Sequence, residues 1–340
     1  MGGDWVVAGI LASLVRPLVV SIWAAALAAA CRGAASPVIG SRLSRKGVPV
    51  APVAAGALRA PEPTSAFPSS SRAAIDAALE TLRVRKVAWA SLPLLEKIDL
   101  LRQLRKSFAA VAEEWVAACQ RAEGLDPRDP RSGEEWIVGP YFVLRNLRLL
   151  QSSLTSLSVG HAPRIPGPVR QREDGRVVAQ VFPSDLYDRL FYAGMVAEVW
   201  MRPGVTPETL AEHQAVAYRE ELPRGKVALV LAAGNVSSIG PMDALYKLFV
   251  DNEVVVFKTH GVNDYLGPLL ERGFRPLVEA GYLRIVYGDV EEGSYLCEHP
   301  LVDSIHITGS DKTHDAIVFG VGPEGARRKA EGRPRLSKPI

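Results

Sequence analysis

Residues 225–241 read GKVALVLAAGNVSSIGP, and this stretch decides the fold class. Val227 to Leu231 form a short apolar run that ends at Ala-Ala-Gly and is followed by Asn235 and a helical pattern. A short apolar run bounded by turn residues favours a buried strand. In α/β proteins, ligands bind at the carboxyl ends of such strands. Asn235 is therefore a candidate site residue, with the alternative that it only stabilises a turn.

The pattern of a strand followed by a helix recurs three more times. The further apolar runs span residues 253–258, 282–288 and 302–310, and the helical patterns span residues 242–250, 264–280, 291–299 and 311–320. Strands that alternate with helices favour right-handed crossovers and a parallel, doubly wound sheet. We therefore predict an α/β fold with a Rossmann-like, nucleotide-binding domain at residues 223–340.

Glycine lies at or near the end of each predicted strand. The four ends are Gly234-Asn235, Lys258-Thr259-His260-Gly261, Gly288 and Thr308-Gly309-Ser310. Glycine lets a ligand phosphate approach the backbone closely, and a helix that begins after Ser310 would present N–H groups to an anion. The sequence lacks the G-x-G-x-x-G fingerprint, which argues against an ordinary Rossmann dehydrogenase.

The segment before this domain has helical and hairpin patterns. Apolar residues recur every three or four positions after Ser91, which is a candidate N-cap, and this helix should stop near Gly124. A second helix is predicted at residues 134–157, and Asp174-Gly175 lies between two extended runs, as in a hairpin. We expect residues 71–222 to be a helical lead-in with a β-hairpin that contributes to packing or to oligomerisation.

Residues 5–31 form an apolar stretch long enough to cross a bilayer, which takes about 20 residues. Arg16 and Pro17 interrupt it near its centre, and a linker rich in Pro, Ala and Ser follows up to residue 70. Residues 1–70 are thus a hydrophobic leader and linker. Three alternatives stay open: a membrane anchor, a disordered or wrongly started leader, and a cleaved signal peptide. The protein is expected to be cytoplasmic, with or without membrane contact through residues 5–31.

Composition and charge narrow the functional classes. The formal net charge is only +3, and basic residues are interspersed with acidic ones, so a nucleic-acid partner is not expected. Cys31, Cys119 and Cys297 are too far apart in sequence for a disulfide framework or a metal cluster. The histidines His260, His306 and His314 lie in separate predicted elements without supporting ligands, so no metal site is predicted.

Three segments together resemble the aldehyde dehydrogenase superfamily over residues 75–340. AAGNVSSIGP is similar to the family's Pro-Trp-Asn segment, and NEVVVFKTHGVNDYLGP is similar to its Asn-x-Val-Val-x-Lys-Pro stretch. The third segment, EAGYLRIVYGDVEEGSYLCEHPLVDSIHITGS, is similar to the run that ends in Phe-Thr-Gly-Ser. Their order and spacing make the resemblance specific, although Gly234, Thr259 and His260 depart from the family's residues.

The resemblance implies roles for individual residues. Asn235 would donate its amide to the oxyanion that develops on the substrate, and Lys258 would bind the hydroxyls of the adenosine ribose. The other implied cofactor-binding residues are Ala232, Ala233, Gly288, Thr308, Gly309 and Ser310. Many members of the family place a glutamate against that ribose where this chain has Gly261, so the implied cofactor is NAD or NADP.

The family's glutamate base and cysteine nucleophile follow the Thr-Gly-Ser strand, and this sequence ends at RPRLSKPI before either motif. Cys297 precedes Ser310 and is excluded as the nucleophile by the order of the motifs. The resemblance implies an NAD(P)-dependent oxidoreductase that oxidises an aldehyde to an acid through a cysteine thioester, of which this chain would be an inactive, truncated part. A full-length enzyme would be a homo-oligomer.

Three alternatives remain. The first is an acyl-CoA or acyl reductase of the same superfamily, for which the substrate is an acyl group rather than an aldehyde. The second is a non-catalytic nucleotide-binding remnant. The third is an interaction protein that is tethered to a membrane by residues 5–31.

Overall fold

The computed structural model describes residues 67–340, and the apolar segment at residues 5–31 lies outside them. The described residues form two compact units. The first comprises residues 67–164 and 210–340, and the second comprises residues 165–209. The helical segment that ends at residue 164 therefore folds together with the parallel sheet. The domain bounds at residues 71–222 and 223–340 stay a prediction.

Residues 67–340 contain seven strands and ten α-helices of at least five residues, besides a three-residue helix at Glu134–Trp136. The strands are β1 (Val169–Gln171), β2 (Val177–Phe182), β3 (Ala197–Trp200), β4 (Val227–Leu231), β5 (Val254–Lys258), β6 (Leu283–Val286) and β7 (Ser304–Ile307). The helices are α1 (Arg72–Ala90), α2 (Leu94–Glu123), α3 (Phe142–Ser158), α4 (Leu186–Phe191), α5 (Ile239–Phe249), α6 (Gly267–Gly273), α7 (Arg275–Glu279), α8 (Val290–Glu298), α9 (Asp311–Val318) and α10 (Gly322–Ala330). No helix in this part of the chain is long and apolar enough to span a membrane.

The first unit contains a parallel sheet with the strand order β6-β5-β4-β7. The chain moves outward from β4 to β6 and then crosses back, so that β7 pairs with the other side of β4. Right-handed crossovers therefore place α8 on the face opposite α5. The predicted doubly wound α/β fold, preceded by helices and a hairpin, is confirmed.

The sheet is buried because its central strands are continuous apolar runs. All five residues of β5 and the first four of β4 are buried, as expected for parallel strands covered on both faces. Helix α5 is buried along its whole length. The site residues that follow these strands are therefore attached to a rigid core.

Helix α2 carries the predicted apolar face, and Gly124 ends it in a left-handed conformation with φ of 67°. The predicted N-cap at Ser91 is wrong, because Ser91 closes α1 by donating its N–H to the carbonyl of Val87. Pro93 takes the N-cap position of α2 and makes no side-chain cap. Proline suits the beginning of a helix because its missing N–H has no intrahelical partner there.

Two predicted helices are interrupted at prolines. The helix at residues 264–280 is instead a 3-10 turn, Gly261–Leu266, followed by α6 and α7. Pro268 and Pro276 lie in the first turns of these two helices, where proline favours a new start. The helix at residues 134–157 has non-helical backbone at Gly139, directly before Pro140.

The second unit contains an antiparallel three-stranded sheet with the order β1-β2-β3. The turn predicted at Asp174-Gly175 joins β1 to β2. Gly175 has φ of +79°, and the N–H of Arg172 donates to the carbonyl of Arg176 across the turn. The hairpin is therefore confirmed.

Candidate functional site

The carboxyl ends of three parallel strands lie side by side. Leu231 at the end of β4 pairs with Lys258 on one side and with Ile307 on the other. The chain changes direction across the sheet at β4 and β7, and such switch points form ligand crevices in α/β proteins. The predicted site residue Lys258 is the last residue of β5, and Asn235 and Ser310 lie in the segments that follow β4 and β7.

The loop after β4 is fixed by hydrogen bonds to β5 and to the turn that follows β5. The N–H of Ala232 donates to the carbonyl of Lys258 at 3.1 Å. The Asn263 amide donates to the carbonyls of Ala233 and Gly234, with Nδ2–O distances of 3.2 and 3.3 Å. These three bonds fix the backbone of residues 232–234. Sequence reasoning missed Asn263, because its partners are about thirty residues away in sequence.

Asn235 is exposed, and its side chain makes no hydrogen bond with any residue in the described range. Helix α5 begins four residues later, after Ser238, whose hydroxyl donates to the carbonyl of Val138. A capping role would require the Asn235 side chain to accept from a nearby backbone N–H. The geometry gives no support to the turn explanation and leaves the amide available for a ligand.

Two departures from the family's pattern lie against each other. A Cβ atom added to Gly234 would lie 2.6 Å from Cε1 and 2.6 Å from Nδ1 of His260. The His260 ring thus occupies the space where an aromatic side chain at residue 234 would begin. Its Nδ1 accepts from the N–H of Val262 at 3.3 Å, so a neutral ring carries its proton on Nε2, a donor beside the loop.

Lys258 is 9% exposed, and its ammonium has no hydrogen bond or ion pair within residues 67–340. Burial lowers the pKa of this lysine. Nearby carboxylates oppose that shift and favour the charged form; they belong to Asp264, Asp289 and Glu292. A nearly buried cation without a direct partner is costly unless a ligand supplies acceptors.

The Thr308 hydroxyl is already used by the protein. It donates to Oδ2 of Asp243 at 2.7 Å, and Nε2 of His306 lies 3.2 Å from the other carboxylate oxygen, off the line of a hydrogen bond. Asp243 lies on α5 and the two partners lie on and after β7, so the cluster ties the helix to the switch-point strand. Asp243 was not foreseen, because a single Asp in an apolar helix gives no signal of its partner.

Ser310 is the N-cap of α9, and its hydroxyl oxygen accepts from the N–H of Thr313 at 3.2 Å. The backbone N–H groups of Gly309 and Ser310 make no hydrogen bond within the described part of the chain. They precede a helix of eight residues, whose dipole favours an anion at this end. The backbone N–H groups of Gly309 and Ser310 are thus available to a ligand, whereas the hydroxyls of Thr308 and Ser310 already make hydrogen bonds within the protein.

Gly288 is covered by a side chain from the helix that follows it. Its φ of +148° favours glycine, and the Glu292 carboxyl carbon lies 2.6 Å from where a Cβ would be. Glu292 also accepts from the N–H of Asp289 at 2.8 Å, within the capping box that begins α8. A ligand at Gly288 would therefore meet a carboxylate as well as the backbone.

The cysteines of the described residues, Cys119 and Cys297, are free and buried. Burial raises the pKa of Cys119 to about 12 and that of Cys297 to about 11. A thiol with such a pKa is almost entirely protonated at neutral pH and is a poor nucleophile. Within residues 67–340, no group of His, Cys, Asp and Glu side chains is arranged to hold a metal ion.

Solved structures of aldehyde dehydrogenases are similar to this chain. Glyceraldehyde-3-phosphate dehydrogenase GapN from Methanocaldococcus jannaschii, complexed with NADP, is 13% identical, with 74% of this chain and 44% of that chain covered and a TM-score of 0.45. An NAD-dependent benzaldehyde dehydrogenase from Corynebacterium glutamicum is 15% identical, with 76% and 44% covered and a TM-score of 0.47. A mutant of aldehyde dehydrogenase C from Pseudomonas syringae, complexed with NAD+ and octanal, is 13% identical, with 80% and 42% covered and a TM-score of 0.47.

This chain spans less than half the length of each of these structures. No protein-family profile and no curated protein matches it.

Proposed function

We propose that this chain binds NAD or NADP at the carboxyl edge of its parallel sheet, as the cofactor-binding part of an aldehyde dehydrogenase-like oxidoreductase. The observation that carries the proposal is the Lys258 ammonium, which is nearly buried at a strand end and has no direct partner among the described residues. A ligand rich in hydroxyl and phosphate oxygens would satisfy it. The dinucleotide would supply a hydride acceptor for the oxidation.

The ends of β4, β5 and β7 would each contribute a different group to such a ligand. Lys258 would donate to the ribose hydroxyls from the end of β5. The backbone N–H groups of Gly309 and Ser310 would face the pyrophosphate at the beginning of α9. Ala232 and Ala233, whose backbone is fixed by hydrogen bonds, would form the wall of the crevice. Thr308 would act by holding this edge to Asp243.

Asn235 would stabilise the reacting substrate rather than bind the cofactor. Its free amide lies beside the proposed nucleotide crevice and would donate to the developing oxyanion of an aldehyde or acyl substrate. One such donor typically contributes about 2.7–4 kcal/mol to the stabilisation of a transition state. The nucleophile is assigned to neither Cys119 nor Cys297, since burial keeps both as thiols. We therefore propose that this chain binds the dinucleotide without oxidising aldehydes.

The test is a calorimetric titration of the full 340-residue chain with NAD+ and with NADP+. Lys258→Met is expected to weaken binding of the preferred dinucleotide at least about tenfold, the cost of roughly one charge-assisted hydrogen bond. The matched control is Lys226→Met, which removes a lysine next to β4 at the amino edge of the same sheet. Absence of binding by the unmodified chain, or equal losses in the two variants, would refute the proposal.

Aldehyde oxidation by the chain is measured separately. The purified chain is incubated with NAD+ or NADP+ and a panel of aliphatic and aromatic aldehydes, and absorbance is followed at the wavelength of the reduced cofactor. No turnover above the background is expected. Steady production of the reduced cofactor that disappears in Cys297→Ser or Cys119→Ser would show that a described cysteine is the nucleophile.

A further inference from the structure

Residues 130–141, which we call the connecting segment, form short helical turns between α2 and α3. They pack against the loop that follows β4. The hydroxyl of Ser238 in this loop donates to the carbonyl of Val138. A Cβ atom added to Gly139 would lie 3.5 Å from Oγ of Ser237, and both serines are buried. The connecting segment therefore supports one side of this loop.

A chain of hydrogen bonds runs from the same loop to a buried carboxylate. The indole N–H of Trp115 donates to Oγ of Ser237 at 3.1 Å. The thiol of Cys119 has the Ser237 hydroxyl and the Glu135 carboxylate as hydrogen-bond partners. Because Ser237 Oγ accepts from the indole, its own proton is directed to the sulfur, and the thiol proton is directed to Glu135. Tyr265, on the turn after β5, also donates to this sulfur, at 3.5 Å.

Glu135 is a buried acid without a cationic partner. It is only 6% exposed, and no Lys or Arg among residues 67–340 forms an ion pair with it. The titratable groups that act on it are Cys119, Glu123 and Glu134, and Tyr265 faces the same cluster. Burial raises the pKa of Glu135. A buried carboxylate is costly unless donors satisfy its oxygens, so Glu135 depends on the protons of its neighbours.

Glu123 supplies one of these protons. It is the last residue of α2 and is exposed, and its carboxyl group forms a hydrogen bond with that of Glu135. Two carboxyl groups can form a hydrogen bond only when one of them is protonated. Partial burial and the carboxylate of Glu135 raise the pKa of Glu123 to about 7. Glu123 and Glu135, which we call the carboxyl pair, therefore share one proton below neutral pH and lose it above.

We propose that the carboxyl pair is a pH-sensitive switch, whose shared proton fastens the connecting segment to the end of α2 and thereby fixes the loop that carries Asn235. Without that proton, Glu123, Glu134 and Glu135 carry three negative charges and no described cation lies among them, so the connecting segment separates from α2. The loop after β4 then loses its contacts with this segment. The switch belongs to the fold and does not depend on which ligand the crevice binds.

The direction of the pH dependence follows from the proton that only the closed arrangement retains. When the connecting segment separates from α2, Glu123 is solvated and its pKa returns to its ordinary value of 4.5. Between 4.5 and about 7, separation therefore releases a proton and becomes more favourable by up to about tenfold per pH unit. Above about 7 the two arrangements bind the same number of protons, and the dependence ends.

The experiment is amide hydrogen exchange of the full 340-residue chain, followed by mass spectrometry of peptides between about pH 5 and pH 8. Each rate is divided by the intrinsic exchange rate at the same pH, which gives a protection factor. Peptides from the connecting segment and from the loop after β4 report the switch. A peptide that contains β5, which is buried along its whole length, is the internal reference.

Three variants separate the shared proton from other effects. Glu123→Gln replaces the proton donor by an amide that can donate to Glu135 at every pH, whereas Glu123→Ala removes the donor. Because residue 123 is exposed, both changes should leave the fold intact. The matched control is Glu134→Gln, which removes a charge from the exposed neighbour of Glu135.

In the unmodified chain and in Glu134→Gln, both reporting peptides are expected to lose at least about tenfold in protection between pH 5 and pH 7, and to stay level above. Glu123→Gln is expected to keep the protection of the acidic range throughout, and Glu123→Ala to lack it already at pH 5. Level protection in the unmodified chain, or an equal loss in Glu123→Gln, would overturn the switch. Loss in the connecting segment alone, or a parallel loss in β5, would also overturn it.

Discussion

The imidazole ring of His260 occupies the space that a side chain at Gly234 would need, with two ring atoms 2.6 Å from the position of a Cβ. This contact joins the loop after β4 to the end of β5, on either side of the candidate crevice. We predict that Gly234→Ala costs about 1–3 kcal/mol of folding free energy, because overpacking displaces the ring or the loop. In a His260→Ala background the cost should fall by at least about 0.5 kcal/mol. A double-mutant cycle in urea measures this coupling, and an additive cycle would contradict the contact.

Asn235 is predicted to contribute little to stability. Its side chain makes no hydrogen bond with the described residues, so Asn235→Ala should change the free energy of unfolding by less than about 0.5 kcal/mol. Asn263 provides the contrast, because its amide donates to two loop carbonyls, and Asn263→Ala should cost about 1–3 kcal/mol. Urea unfolding of both variants measures this difference. A loss of 1 kcal/mol or more for Asn235→Ala would restore the explanation that this residue stabilises a turn.

Thr308 is predicted to act through Asp243. Thr308→Val keeps the shape but leaves a carboxylate oxygen without its donor at 2.7 Å, and should cost about 1–3 kcal/mol. Thr308→Ser retains the hydroxyl and should recover most of this loss. Unfolding curves report the stability, and calorimetric titration with dinucleotide reports whether the edge of the sheet stays in place. If Thr308→Val and Thr308→Ser have the same free energy of unfolding, the hydrogen bond from residue 308 to Asp243 does not stabilise this edge of the sheet.

Cys119 and Cys297 are predicted to resist alkylation in the folded protein. Burial raises the pKa of both thiols, so the reactive thiolate is scarce and the sulfur is also shielded. Treatment with iodoacetamide at pH 7.5, followed by peptide mass spectrometry, should label the two cysteines only in urea. Rapid labelling of either cysteine in the native protein would show that its thiol is activated and would make that cysteine a candidate nucleophile.

The parallel sheet is predictable because its strands are buried on both faces. Such strands read as continuous apolar runs, and the predicted run at Val227 to Leu231 coincides with β4. The hairpin is predictable because Asp174-Gly175 supplies a residue suited to positive φ. Helix boundaries are less predictable. The start of α2 depends on whether Ser91 is the C-cap of α1 or the N-cap of α2. Tertiary packing decides between these two roles.

The residues of the candidate site are predictable from their positions at strand ends, but their surroundings are not. Sequence reasoning finds Lys258 and Asn235, because polar side chains after apolar runs stand out. It does not find the bond between Thr308 and Asp243, which are 65 residues apart in the chain and meet because β7 returns to pair with β4. It also misses the unpartnered oxygen of Asp264, which only the folded turn creates.

Lys97 is predicted to make stability depend on pH. It is fully buried on α2, where its ammonium contacts Asn252 Oδ1 and lies 4.7 Å from the Trp89 ring centroid, and burial lowers its pKa from 10.5 to about 7. Between these values the unfolded chain binds more protons, so stability rises with pH by up to about 5 kcal/mol. Lys97→Met should flatten this rise between pH 7 and pH 9.5, whereas Lys106→Met, an exposed position on the same helix, should keep it. Urea unfolding across this range measures both slopes. Equal slopes in the two variants would show that Lys97 is not the titrating group.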